Sequence, residues 1–511
     1  MKSMRKIMIC ILTCIIIGGM VFAGGAREIV EPEAPARIAV RSTQGQDINT
    51  LDPAYYRGNE EYNIDLVLYS KLMRFDAGSS DLVLDAAEWV EVSDDGLAVS
   101  FKLREGIQFH RGYGEMTAED VKFSFERIID PETDSAYRSE WITLDRVEVT
   151  GRYTGTIYLN DIYAPLFVGT IPFTPGSIIS KKAYEELGDA FATNPVGSGP
   201  YSWAEWIPGQ KMVLERFDDY FGDLPDFEAI EILPISEIQL AELALERGDL
   251  HATEISVDAY ERFKADPRFE VKQVPVTRHI FIGFNHQESP FTDIRLREAV
   301  RYAVDIDGII EGAYRNMVNR ADAMIVEGVL GYWPDAPRYD VDLDRARELL
   351  AEAGYPDGFK TTITVGTPPP MPEIAQIVQS DLQKIGIETD ISIVDSTFER
   401  LGRISTPGLF LANYGPTLEP DRWFVWLISQ HVGSWNFWKF SNAEYDELRE
   451  KALLTMDTEQ RAAYYIRMQE ILHDEVAAVW ITNGALLMAH TPSIDPVFLT
   501  QRHQYRYWTA K

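Results

Sequence analysis

The chain has 511 residues, a formal net charge of −32, and 45% hydrophobic and 12% aromatic content. That acidity excludes a nucleic-acid or anionic-lipid binder, because both surfaces demand clustered Lys and Arg. The apolar share excludes a disordered acidic chain, and the length requires two or three domains instead of one core.

Lys2, Arg5 and Lys6 precede an apolar run over 7–22, and Val21-Phe22-Ala23 supplies a signal-peptidase site, so 1–23 reads as a secretory signal. The run is short for a membrane span of about 20 residues. The competing readings are an uncleaved anchor and a lipoprotein acylated at Cys14, where Thr13 is bulky for the preceding position. Cys10 and Cys14 are the only cysteines, so cleavage leaves no disulfide, thiolate metal site or cysteine nucleophile. Residues 24–36 (GGAREIVEPEAPA) lack periodicity and read as a flexible tether.

Residues 37–41 alternate like a strand, and 64–73 fit a helix. Strand-like runs at 89–92 and 98–103 flank the turn residues Asp94-Asp95-Gly96. Thr117 is placed to cap a helix whose first turn holds Glu119 and Asp120. Residues 194–201 (NPVGSGPY) form a constrained loop before strands at 201–206 and 211–216. Farther on, 293–304 is helical, and helices at 344–353 and 373–385 end on Gly354 and Gly386. Strands at 360–365 and 388–394 complete a β-α-β unit, and helices at 445–454 and 458–472 follow. The pattern is mixed α/β throughout.

Nothing in it reads as catalytic. The serine elbow, the zinc-protease helix, the phosphate loop and the dinucleotide fingerprint are all absent. Gly197-Ser198-Gly199 is a tight turn, and acidic pairs follow from composition alone. The eight histidines are scattered without ligand spacing, His279 and His286 being seven apart. The expectation is no enzyme, no catalytic residue, no cofactor and no metal. A secreted hydrolase is the alternative of another class, and a chaperone-like or signalling receptor on the same scaffold is a further one.

Several ordered segments resemble solute-binding protein family 5, the receptors of peptide, nickel and some oligosaccharide ABC importers. They are Leu51-Asp52-Pro53, 87–110 (AEWVEVSDDGLAVSFKLREGIQFH), 116–124, NPVGSGPY, Phe284-Asn285 with Pro290-Phe291, 351–359 (AEAGYPDGF), 382–387 and Phe440-Ser441-Asn442. The resemblance implies an α/β, periplasmic binding protein-like fold: two lobes joined by a two-strand hinge, with an extra subdomain inserted in lobe one. Lobe one would take 37–60, 185–275 and 480–511, the inserted subdomain 61–184, and lobe two 276–479. It makes His110 and Arg104 structural. It implies a periplasmic, monomeric receptor, cleaved or membrane-tethered, that closes on a small solute and delivers it to ABC permease subunits.

Two segments are the expected cleft. Arg57-Gly58-Asn59 follows the loop where the family's peptide receptors touch the ligand backbone. Residues 411–438 concentrate Tyr414, Trp423, Trp426, Trp435 and Trp438 beside Asp421, Arg422 and Asn436. Trp423 and Trp426, three apart, fit a core face equally well. The candidate ligand-binding residues are therefore Arg57, Gly58, Asn59, Tyr414, Asp421, Trp423, Trp435, Asn436 and Trp438. In the family an aspartate before Asp-Pro pairs the peptide amino group. Here Glu419-Pro420 replaces Asp-Pro and Pro416 falls at that aspartate, with only Glu419 or Asp421 nearby. A short peptide or peptide-like solute is the expected ligand, with an oligosaccharide stacked on the aromatics as the alternative.

Overall fold

The computed structural model describes residues 36–395, 397, 408–415 and 417–511. The expected signal, both cysteines and residues 24–35 of the tether lie outside them. Strand β1 (Arg37–Arg41) buries Ile38 and Val40. β2 (Ala87–Val92), β3 (Ala98–Leu103), β4 (Leu144–Val149) and β5 (Thr154–Leu159) form a separate antiparallel sheet ordered β2-β3-β5-β4. The chain then continues through β6 (Tyr201–Ile207), β7 (Lys211–Arg216), β8 (Ala229–Leu233), β9 (Ala252–Glu254) and β10 (Glu270–Pro275). β11 (His279–Phe284), β12 (Phe359–Gly366), β13 (Ile387–Val394), β14 (Leu409–Tyr414) and β15 (Ala478–Thr482) make a five-stranded sheet ordered β13-β12-β14-β11-β15. β16 (Ala485–His490) returns to the first sheet, whose order is β6-β7-β8-β1-β9-β16-β10.

The two large sheets are thus linked twice, through 276–278 and through 483–484. The links are tied together, since Asn483 Nδ2 donates to the Arg278 carbonyl at 3.1 Å. All six residues of β11 are buried, because this central strand packs on both faces. Ile280, Ile282 and Phe284 join one apolar cluster and Phe281 joins the other, following the period-two alternation of a strand.

Local signals account for most elements. α1 spans Asn59–Leu68 and α2 spans Ala118–Ile129, with Thr117 at the N-cap of α2 and its N–H given to the Asp120 carboxylate at 2.9 Å. α3 (Ile294–Ala303) starts on Asp293, whose side chain accepts from Arg295 N. α4 (Leu343–Glu352) and α5 (Met371–Gln383) follow, and β12 and β13 pair in parallel as the β-α-β unit requires. α6 (Ala443–Leu453) and α7 (Thr458–Asp474) form the late helical pair.

One expectation fails: 64–73 is not a single helix. α1 begins five residues earlier, where the Glu61 carboxylate accepts from Arg57 N at 2.8 Å and Gly58 N at 2.6 Å. It ends at Leu68, and 73–75 is a short strand. The NPVGSGPY loop packs backbone to backbone on the end of α1. A Cβ on Gly197 would lie 1.9 Å from Leu68 O, and one on Gly199 2.2 Å from Val67 O, so only glycine fits. His110 is buried against this loop, its Nε2 3.0 Å from Gly199 O, and Arg104 Nε donates to Asp85 O at 2.9 Å. Both hold the scaffold.

Candidate functional site

Residues from three distant parts of the chain converge where the five-stranded sheet's lobe meets the segment that carries β2–β5. The guanidinium of Arg422 ion-pairs with Glu140 and donates to Gly169 O at 2.9 Å. Gly169 lies against the Glu419 side chain, where a Cβ would be 3.1 Å from Cγ. Ala164 N donates to Leu453 O at 2.8 Å. One apolar cluster also crosses here, joining Phe75, Phe173 and Leu499 to Phe281, Trp423 and Trp438. These contacts hold the two sides together over a common surface.

Charge is arranged in discrete pairs. Glu419, 2% exposed, pairs with Arg461, which also donates to Tyr465 Oη at 3.0 Å. Asp421 takes a two-pronged contact from Arg449, at 2.6 and 2.8 Å. Burial raises the Glu140 and Glu419 carboxyls above their ordinary range, while Arg422 and Arg461 respectively oppose that rise. Arg502 comes from near the C-terminus, its guanidinium 4.5 Å from the Tyr62 ring centroid and 5.2 Å from that of Phe173. The Tyr62 hydroxyl lies 3.1 Å from that of Tyr137.

The residues expected in the cleft separate into groups. Trp423 and Trp438 are buried at 1% and 0%, and Tyr414 at 5%. Trp438 stacks on Phe281 at 5.2 Å, and Trp423 Nε1 donates to Gly415 O at 3.1 Å. Asn436 is buried, its amide donating to the carbonyls of Leu427, Ile428 and Phe440 at 2.7–3.1 Å. Trp435 is 56% exposed and meets Trp426 edge-on at 5.2 Å. Arg57 is exposed, Gly58 and Asn59 are half-buried, and Asn59 Nδ2 donates to Gln44 Oε1 at 3.3 Å. The structure therefore packs Tyr414, Trp423 and Trp438 into one apolar cluster, engages Asp421 with Arg449 and Asn436 with backbone carbonyls, and leaves Arg57–Asn59 apart, where the chain enters α1. Sequence reasoning missed Tyr62, Glu140, Phe173 and Arg502, which share no local motif.

His279 sits beneath this surface inside a ring of aromatics. Trp423, Trp480, Tyr414 and Phe281 surround its imidazole at 4.8–5.7 Å, and neither ring nitrogen has a hydrogen-bond partner among the described residues. Burial lowers its pKa to about 3, from the ordinary 6.5. The folded state thus binds fewer protons than the unfolded one between those values, and stability is lost as pH falls below about 6.5. Between pH 7 and 5 this single group contributes a loss of about 2 kcal/mol. His279→Leu is expected to flatten the pH dependence of the unfolding free energy by that amount in urea titrations. An unchanged slope refutes a buried neutral imidazole.

Residues 81–436 match the model of the bacterial extracellular solute-binding proteins, family 5 middle region. The chain belongs to that family. It is 28% identical to heme-binding protein A of Haemophilus influenzae, over 84% of this chain and 83% of the relative. Identity is also 28% to the probable D,D-dipeptide-binding periplasmic protein DdpA of Escherichia coli, over 85% of this chain and 86% of the relative. Among solved structures, the family-5 fold is shared with the periplasmic binding protein DppA of Helicobacter pylori, in complex with the peptide STSA. That pair has a TM-score of 0.81 and 24% identity over 94% of this chain and 98% of the other. The two-lobe α/β architecture of periplasmic binding proteins is therefore this chain's fold. Pro416, which the family-5 resemblance sets at the amino-binding aspartate, lies outside the described residues. Of its two acidic neighbours, Glu419 is occupied by Arg461 and Asp421 by Arg449. Among the described residues no group of His, Cys, Asp or Glu is disposed to hold a metal ion, and no helix is long and apolar enough to cross a membrane.

Proposed function

We propose that this family-5 protein is the periplasmic substrate-binding component of an ABC importer. It captures a short peptide or peptide-like solute between its lobes and hands it to permease subunits. The observation that carries this reading is Arg422, which reaches from one side of the junction to Glu140 and Gly169 on the other. Such contacts across the junction favour an arrangement with the two sides together, and a solute stabilises closure by binding it better than the open form. The lobes in this reading are 37–60, 185–275 and 480–511, with 61–184 inserted, against 276–479. Trp435 and the Arg57–Asn59 loop remain available at the surface for a ligand.

The oligosaccharide reading draws less support. Sugar stacking needs open aromatic faces, whereas Trp438 and Tyr414 pack on each other and on Phe281, and Trp423 is buried against His279. A secreted hydrolase would produce turnover, whereas a receptor produces only saturable binding. The deciding experiment is a thermal-shift screen with peptide and sugar panels, with product assayed in parallel. Peptides at a hundred times their Kd should stabilise the fold by about 2.7 kcal/mol, read as a rise in Tm. A rise with sugars and none with peptides rejects the peptide reading.

A further inference from the structure

Resting on the cleft reading above, we propose that Arg502 is an anion subsite, so that this receptor selects solutes with a free carboxylate and sets no charged partner against an amino group.

At the junction each described carboxylate has its own guanidinium: Glu140 has Arg422, Glu419 has Arg461, and Asp421 has Arg449. Asp65, deeper on the same side, is held by Lys71 at 2.9 Å and by the Ser177 hydroxyl at 2.7 Å. Arg502 is left over. Its side chain is half-buried and touches the Tyr62 and Phe173 rings, yet it makes no ion pair or hydrogen bond with a described residue. A second guanidinium shares the same ring, with Arg422 Cζ 5.7 Å from the Phe173 centroid. Burial first, and then the like charge of Arg422, hold the Arg502 pKa below its ordinary value, although Tyr62 opposes them.

A half-buried cation beside a like charge is an unfavourable arrangement that an incoming anion relieves. The chemistry matches a carboxylate. A guanidinium held between aromatic faces keeps its N–H edge in one plane, and that edge is the fork that binds two carboxylate oxygens. A neutral sugar offers no such group. The amino end meets the reverse situation, because Glu140, Glu419 and Asp421 each already face a guanidinium of this chain. N-acylated acids should therefore serve as well as free-amino ones.

The test uses the purified chain, calorimetry and four probes: Ala-Phe, N-acetyl-Ala-Phe, Ala-Phe amide and a panel of non-peptide sugar acids with their neutral parent sugars. The two acids should bind within about threefold of each other. Amidation, or Arg502→Gln against the acids, should weaken binding by about ten- to a hundredfold, the worth of one charge-assisted contact. The Tm of unligated Arg502→Gln should be unchanged or higher, since it relieves repulsion from Arg422. Peptides that bind equally with and without a carboxylate, and equally to Arg502→Gln, overturn the inference while leaving the peptide reading intact. Sugar acids that bind through Arg502 while all peptides fail overturn the peptide reading and uphold the anion subsite. Binding of neutral sugars alone, or of no probe, overturns both.

Discussion

Arg127→Ala is expected to lower the unfolding free energy by about 3–5 kcal/mol. Arg127 lies on α2 and reaches Asp52, in the loop after β1, with two parallel contacts at 2.9 and 2.7 Å. Their side chains are 6% and 4% exposed. The Arg127 guanidinium also lies over Tyr184, 4.3 Å from the ring centroid. Without it, Asp52 keeps only the Ala54 N–H at 3.0 Å, and a carboxylate in a water-poor site loses its counter-charge. Removing both charges is a different experiment. Arg127→Met with Asp52→Leu should recover much of the loss, because the desolvation penalty disappears with the pair. Urea unfolding with an unchanged m-value measures both. A loss below about 1 kcal/mol for the single variant contradicts a buried pair.

Trp438→Ala should cost about 3–5 kcal/mol, through lost burial and the cavity left behind. Its ring is stacked on Phe281 at 24° and meets Phe410 edge-on at 5.3 Å, with Tyr414 at 5.7 Å. The indole N–H has no hydrogen-bond partner among the described residues, so Trp438→Phe removes an unsatisfied donor and should lose far less. Trp435→Ala offers the contrast. That side chain is mostly in solvent, so its removal should move Tm by no more than a few degrees while weakening the solute. Equal stability of the Trp438→Ala and Trp435→Ala variants would show that the two rings share one environment, against the structure.

That contrast marks the limit of what the sequence reveals. Elements with local punctuation are legible: Thr117 before α2, Asp293 before α3, and the parallel strands around α5 all lie where their caps and periodicity put them. α1 is harder because its inward face is polar. Glu60 accepts from Thr43 N at 2.7 Å, Asn63 donates to Thr43 Oγ1 at 2.7 Å, and Asp65 meets Lys71, so buried polar groups mask the apolar stripe that announces a helix. In the 411–438 segment, composition shows that aromatics are concentrated but not which face they occupy. β14 packs on both faces, and its aromatics join the interior. Asp421 has the right chemistry for a ligand, yet Arg449, from α6, already occupies it. The residues that meet at the junction, Tyr62, Glu140, Phe173, Arg422 and Arg502, are brought together by the fold and carry no joint spacing to read.

The double link between the sheets also sets the order in which the chain can mature. The five-stranded sheet needs β15 at its edge, and the seven-stranded sheet needs β16 between β9 and β10, both drawn from the last tenth of the chain. β9 and β10 pair with β16 and not with each other, so the β1 side of the sheet reaches β10 only through residues 485–490. Neither lobe can close its sheet until almost the whole polypeptide has left the ribosome, and such long-range pairing is slow. A nascent chain of this protein therefore stays incomplete and threadable for most of its synthesis.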